Sequence, residues 1–174
     1  MNTKRLVTVA VLIALYTVLS LFSASLGLIK LTFESFPVLV AGLMFGWVDG
    51  LLVGAVGGFL NQMLTYGFTV TTLMWIFPNA LRGLLVGLYA RKYNYELSMK
   101  RTAGIVLATS LLVTALNTVA LYVDSQIFHY PISLTVGAIA LRFLSSVMMA
   151  AIYTLVTPRT VELLRRAGLA GDHE

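Results

Sequence analysis

Residues Asn61–Arg91 read NQMLTYGFTVTTLMWIFPNALRGLLVGLYAR and place aromatic, amide and guanidinium side chains inside an apolar run. The centre of this run is Trp75, Asn79 and Arg82. These residues are three or four positions apart and therefore share one face of a helix. A lone arginine at the centre of a membrane helix costs at least about 2.5–3.5 kcal/mol, so its guanidinium must face protein, water or a ligand. Arg82 is therefore the first candidate site residue.

The composition excludes an ordinary soluble domain. The 174 residues are 59% hydrophobic and only 11% charged, with a mean hydropathy of +0.90, whereas soluble domains carry about 25% charged residues. The chain has no cysteine, which excludes disulfides, thiolate metal sites and cysteine nucleophiles. We predict an all-α integral membrane protein.

Apolar runs separated by polar breaks predict six transmembrane helices in one compact bundle. Crossing a bilayer core about 30 Å thick needs about 20 residues. Within a single domain over residues 1–174, the predicted spans are about 6–28, 36–46, 51–66, 71–90, 102–123 and 133–156. The second run is short and predicts a short or tilted helix. Residues Trp47–Gly50 predict a tight turn, Asp124–Pro131 an outer loop, and the residues from Pro158 onward a polar tail.

The basic residues predict that both termini are cytoplasmic. Positively charged residues concentrate in the cytoplasmic loops of membrane proteins. With the N-terminus inside, the outer loops hold only Lys30. The inner segments then collect Lys4, Arg5, Arg91, Lys92, Lys100, Arg101, Arg159, Arg165 and Arg166. This bias accounts for the net charge of +5 without a nucleic-acid partner.

Small residues recur at four-residue spacing on three predicted spans. They are Ala10 and Ala14 on the first, Gly50, Gly54 and Gly58 at the third, and Gly83 and Gly87 on the fourth. Such residues let membrane helices approach closely. For the glycines this favours packing inside the bundle. For the alanines, the first helix can use them to pack either inside the bundle or against a partner protein.

The length, the six spans with both ends inside and the Ala10-x-x-x-Ala14 pattern resemble the substrate-binding S component of energy-coupling factor (ECF) vitamin transporters. The resemblance implies a plasma-membrane protein whose Ala10 and Ala14 pack on an EcfT-like coupling subunit, with two ATPase subunits supplying energy. Residues Lys30–Gly46 also resemble the start of helix 2 in the folate-type branch. That branch's F-P-G-F-T-like segment is absent after the third span, so the resemblance indicates the family more closely than the vitamin.

Convergent polar and aromatic residues predict a small-molecule pocket in the outer half of the bundle. The chain enters the fourth span from outside, so Trp75, Asn79 and Arg82 lie progressively deeper. Arg142 on the sixth span reaches a similar depth. The predicted substrate-binding residues are Asn61, Tyr66, Trp75, Asn79, Arg82, Asn117 and Arg142. We predict no catalytic residue, no metal ligand and no cofactor.

The charged residues within the predicted spans indicate what kind of ligand the pocket binds. Arg82 and Arg142 lie within predicted spans, whereas the nearest acids, Asp49 and Asp124, lie at helix ends. Unpaired guanidiniums favour an anionic or carbonyl-rich ligand. Alternatively, each arginine caps backbone carbonyls or reaches an acid at a helix end. Folate fits, because its flat ring would stack on an aromatic side chain such as Trp75; pantothenate and cobalamin remain open.

The sequence lacks the residues that two other classes of membrane protein need. A membrane-embedded enzyme requires a catalytic dyad or a metal cluster at depth, and a small exporter or channel usually uses a membrane carboxylate. No acid or histidine falls within a predicted span, and no P-loop is present. We therefore interpret the chain as the high-affinity substrate-binding subunit of an ATP-driven importer, with folate favoured. A small exporter or channel is the alternative.

Overall fold

Six helices and one short hairpin follow each other along the described part of the chain. The computed structural model describes residues 3–22, 24–26, 29–96, 98–132 and 136–169. The elements are α1 (Thr3–Leu21), β1 (Ala24–Leu26), β2 (Ile29–Leu31), α2 (Ser35–Phe45), α3 (Trp47–Tyr66), α4 (Thr72–Lys92), α5 (Met99–Phe128) and α6 (Val136–Arg166). The strands pair antiparallel, with Ala24 opposite Leu31. Residues 27–28 and 133–135, at the ends of two predicted spans, lie outside the described residues.

The helices form a membrane bundle with α2 at its centre. Among the residues that the structure describes, four helices, α1, α4, α5 and α6, are long and apolar enough to cross a membrane. Helix α2 has only 11 residues, a length of about 16 Å. Nearly all of its residues are buried against the other helices, from Ser35 through Phe45 with the exception of Phe36. The predicted all-α, six-helix membrane bundle is confirmed, and its short second helix is enclosed by protein.

Glycines bring α3 and α4 into backbone contact. A Cβ atom placed on Gly83 would meet the carbonyl oxygen of Gly50, and one placed on Gly54 would meet that of Asn79. A Cβ on Gly87 would meet the backbone of Trp47. Only a residue without a side chain permits this approach. The predicted role in packing inside the bundle is therefore confirmed for Gly50, Gly54, Gly83 and Gly87, whereas a Cβ on Gly58 would make only ordinary contacts.

An ion pair joins α1 to the start of α3. Arg5 Nη2 lies 2.6 Å from Asp49 Oδ2, and the same guanidinium donates to the Phe45 carbonyl oxygen at 3.1 Å. The Asp49 side chain is fully buried. This pair closes the end of the bundle at which α2 meets α3.

Four predicted boundaries are wrong. The first predicted span, about 6–28, is too long, because α1 ends at Leu21 and the chain then forms the strand Ala24–Leu26, which pairs with β2. Gly46, with φ +99°, reverses the chain alone, so Trp47–Gly50 is the first turn of α3 and not a separate turn. Helix α5 continues through Asp124 to Phe128, because hydrogen bonds from Thr71 and Tyr130 to the Asp124 carboxylate hold its last turns in place. Helix α6 passes Pro158 and ends at Arg166, because Val161 and Leu164 pack against the core and hold its last turns in place.

Candidate functional site

A cavity of about 670 Å³ occupies the half of the bundle where α3 ends and α4 begins. All six helices contribute to its wall, including Tyr16 from α1 and Ser35 from α2. Every predicted substrate-binding residue lines it: Asn61, Tyr66, Trp75, Asn79, Arg82, Asn117 and Arg142. The structure thus brings together residues of four helices that the sequence placed on separate spans. Their role in binding stays a prediction.

The floor of the cavity presents an unused donor and an unused acceptor. Arg82 donates from Nη1 to the Ser35 hydroxyl, whereas its buried Nε has no hydrogen-bond partner among the described residues. Asn79 donates from Nδ2 to the Tyr16 hydroxyl at 2.7 Å, and its buried Oδ1 likewise has no partner in the described part of the chain. A buried polar group without a partner costs about 1–3 kcal/mol. A ligand that offers the complementary acceptor and donor would recover this free energy.

Glu34 lies in the cavity but is not among the residues that the sequence predicted to bind substrate. It lies just before α2 and lines the cavity, where its Oε1 lies 3.5 Å from Asn79 Nδ2. It also interacts electrostatically with Arg82. The prediction that Asp49 and Asp124 are the acids nearest to Arg82 is therefore wrong. Glu34 is 45 positions from Asn79 in the sequence, and only the packing of the helices brings it beside Asn79 and Arg82. A carboxylate between Phe33 and Phe36 in an outer connection was the available signal.

The rim of the cavity is held by Asp124. Its carboxylate accepts a hydrogen bond from Thr71 Oγ1 at 2.5 Å and another from the Tyr130 hydroxyl at 2.7 Å. Desolvation, together with the hydrogen bond to Asp124 and its negative charge, raises the pKa of Tyr130 to about 12. The tyrosine is therefore a neutral donor at physiological pH. These bonds tie the start of α4 to the end of α5 beside the opening.

The remaining predicted residues form the wall and the mouth. Asn61 Oδ1 already accepts hydrogen bonds from Ser20 at 2.9 Å and Thr65 at 3.2 Å. Tyr66 is 64% exposed and lies at the mouth. Arg142 is partly buried, and no carboxylate of the described residues lies within salt-bridge distance of it. Arg82 interacts electrostatically with Glu34, whereas no such acid is found for Arg142 among the described residues.

Other predicted features lie away from the cavity. Ala10 and Ala14 are on the exposed face of α1, beside Val7 and Val11, which are 56% and 59% exposed. Within the described ranges, no group of three or more histidine, aspartate or glutamate side chains is arranged to hold a metal ion.

Comparisons with known proteins agree with this architecture. The family profile described as "ECF transporter, substrate-specific component" matches residues 4–169. A solved structure described as "Structure and mechanism of the S component of a bacterial ECF transporter" has a TM-score of 0.67 and 21% identity, over 97% of each chain. A second, described as "Crystal structure of FolT bound with folic acid", has a TM-score of 0.67 and 21% identity, over 90% of each chain.

Curated relatives match only part of the chain. Two proteins named "UPF0397 protein" are similar to it. The one from Lacticaseibacillus casei (strain BL23) is 36% identical over 53 residues, or 30% of this chain. The one from Leuconostoc citreum (strain KM20) is 43% identical over 60 residues, or 34% of this chain. The matched stretches span 27% and 30% of the length of these relatives.

Proposed function

Because this multi-pass membrane protein belongs to the family of ECF transporter substrate-specific components, we propose that it captures a small water-soluble vitamin from outside the cell with high affinity. In this proposal it is the substrate-binding subunit of an ATP-driven importer. The family is a transporter component and not an enzyme. Both termini are cytoplasmic in this proposal, as the distribution of basic residues predicts, and the cavity then opens outward.

The observation that carries the proposal is the unpaired polar pair on the cavity floor. Asn79 Oδ1 and Arg82 Nε are buried without partners among the described residues, at the bottom of a cavity of about 670 Å³. Small-molecule sites typically occupy about 300–1,000 Å³ and carry a few oriented polar groups. Asp49 Oδ1 and Thr157 Oγ1 are also unpaired among the described residues but lie outside the cavity, whereas Asn79 and Arg82 line a space that is large enough for a ligand.

Folate is the first vitamin to test. Its heterocycle offers adjacent donors and acceptors to the floor, Trp75 supplies a ring for stacking, and Arg142 supplies a free guanidinium for a carboxylate. The structurally similar FolT is described as bound with folic acid. Glu34 favours ligands with a donor group on the same side. Pantothenate and cobalamin are the alternatives within the same class.

Native mass spectrometry of the purified chain, released from detergent, tests the proposal directly. We expect a retained small molecule with the mass of a vitamin, and we expect added folate to raise the thermal unfolding midpoint. Retention of another vitamin would keep the function and change the substrate. An empty protein that no vitamin of a broad panel stabilises would contradict the proposal and favour a small exporter or channel.

The partners in this proposal are an EcfT-like coupling subunit and two ATPase subunits. We propose that Ala10 and Ala14 form the contact with the coupling subunit, because both lie on the exposed face of α1 and small residues permit close helix contact. Replacing both by tryptophan should abolish co-purification with the coupling subunit and leave vitamin binding by the isolated chain unchanged. Normal assembly of the double variant would reject this face of α1.

A further inference from the structure

A second concave region, of about 340 Å³, lies between α4 and α5. Its walls are the apolar side chains of Leu85 and Leu88 on α4 and of Ile105, Ala108 and Leu112 on α5. Leu88 and Leu112 are 44% and 38% exposed, so this α4–α5 groove opens to the surroundings of the bundle. It shares no lining residue with the cavity of about 670 Å³ described above. In a membrane protein, an open apolar groove at this position faces lipid.

The groove begins at the membrane surface and continues into the hydrocarbon. Lys92 is the last residue of α4, and it lines the same groove as Leu85. The two residues are seven positions apart, a distance of about 10 Å along the helix axis. On α5, the lining from Ile105 to Leu112 covers the same depth. The groove therefore has the orientation and the apolar walls that a lipid acyl chain requires.

Two cations stand at the polar end of the groove. Arg101 precedes Ile105 by four residues and continues the α5 side of the groove toward the surface. Its Cζ lies 4.3 Å from the centroid of the Tyr93 ring, and Lys92 Nζ lies 5.9 Å from the same centroid. Stacking on the ring holds the charges near the groove. No carboxylate in the described part of the chain is within salt-bridge distance of either cation.

We propose that the α4–α5 groove binds an anionic phospholipid, with one acyl chain along its apolar walls and the headgroup phosphate held by Lys92 and Arg101. A guanidinium can bind phosphate through two parallel hydrogen bonds, and the lysine adds a second positive charge. A zwitterionic lipid offers the same phosphate but also brings an ammonium group, which Lys92 and Arg101 repel. This charge complementarity selects an anionic lipid over a zwitterionic one.

Lipid retention by the purified full chain in native mass spectrometry tests the headgroup contact. Phosphatidylglycerol and phosphatidylcholine with the same acyl chains are added in equal amounts, and we expect phosphatidylglycerol to be retained preferentially. Replacing Lys92 and Arg101 by glutamine should weaken its retention about thirtyfold, from two basic contacts. The matched control replaces Arg91 and Lys100 by glutamine. It removes the same charge from the same end of the bundle, at exposed residues that do not line the groove.

Two results of that measurement would overturn the proposal. One is equal retention of the two lipids by the unaltered chain. The other is an equal loss in the control pair, which would assign the effect to general surface charge.

A second variant tests the acyl-chain contact without changing any charge. Ala108→Trp would fill the groove, and we expect it to reduce phosphatidylglycerol retention at least about tenfold, because the displaced chain loses its buried apolar surface. Ala151→Trp, at an exposed alanine on α6, is the control and should retain the lipid. Thermal unfolding of both variants checks that they fold. Full retention by folded Ala108→Trp would overturn the proposal.

Discussion

The two halves of the bundle use the same helices in opposite ways. In the half that holds Arg5 and Asp49, α3 and α4 touch through their backbones at Gly50 and Gly83, and α2 fills the centre. In the other half, α3 and α4 carry larger polar and aromatic residues, which line a cavity of about 670 Å³. Small residues and the Arg5–Asp49 ion pair pack the first half tightly, whereas the second half contains the cavity.

This difference shows how a small membrane bundle can keep an unfilled site. Lipid provides little hydrophobic drive between helices, so association depends on close packing and on polar contacts. Close backbone contacts at Gly50, Gly83 and Gly87 secure the helices in the glycine-rich half, and the other half leaves space for a cavity with polar walls. Substitutions in either half can therefore be compared by their effects on unfolding and on ligand binding.

The largest effect is expected from Gly83→Ala. A Cβ at this position would meet the carbonyl oxygen of Gly50, which belongs to the backbone and has little freedom to move. We expect a loss of about 3 kcal/mol in the free energy of unfolding, at the upper end for overpacking, measured by thermal or denaturant unfolding in detergent. Gly104→Ala is the control, because a Cβ there meets nothing within 4 Å. Equal stability of the two variants would contradict the assignment of the glycine-rich half as the packed one.

Arg82→Ala should affect the open half. We expect about 100-fold weaker vitamin binding, since a charge-assisted hydrogen bond contributes about 1.5–3 kcal/mol. Isothermal titration with the retained vitamin measures the change, and unfolding of the empty protein checks the fold. Arg91→Ala, at an exposed arginine on the same helix, should bind normally. Unchanged affinity in Arg82→Ala would remove this residue from the site.

Arg5→Gln tests the ion pair of the packed half. The change leaves the fully buried Asp49 without its cation. Because Arg5 itself is 27% exposed, we expect a loss of about 2 kcal/mol in the free energy of unfolding, below the range for a fully buried pair. The double variant with Asp49→Asn should recover most of this loss. An additive double variant would show that the two side chains are not coupled.

The smallest effect is expected at the rim. Tyr130→Phe removes the hydrogen bond to Asp124, and we expect a loss of about 1 kcal/mol or less in the free energy of unfolding. The folded-state pKa of about 12 lies above the ordinary value of 10.0. The contribution of this bond is therefore complete below about pH 10 and is lost as the pH rises through about 12.

A stability profile between pH 8 and pH 12 measures the contribution of Tyr130. We expect the difference between the unaltered chain and Tyr130→Phe to disappear at the upper end of this range. A difference that persists at high pH would mean that Tyr130 does not act through its neutral hydroxyl.

Much of the fold and part of the site were predictable. The apolar runs predicted six helices, and the spacing of Trp75, Asn79 and Arg82 put them on one wall of the cavity. Glu34 was not predicted as a site residue, because it lies in a connection between elements. Helical spacing cannot indicate which side of the bundle such a residue faces. The helix ends at Phe128 and Arg166 were missed because packing and long-range hydrogen bonds extended helices that local signals would have ended.

The sequence by itself determined the membrane character, the number of helices and the expected orientation. These properties depend on hydropathy and charge summed over adjacent residues. Only the tertiary structure decided that Glu34 approaches Asn79 across 45 positions and that Thr71 bonds to Asp124 across 53. The tertiary structure likewise decided the alignment of α3 and α4 that brings Gly83 against Gly50. Such contacts depend on how whole helices pack, and no local pattern encodes the distance between two of them.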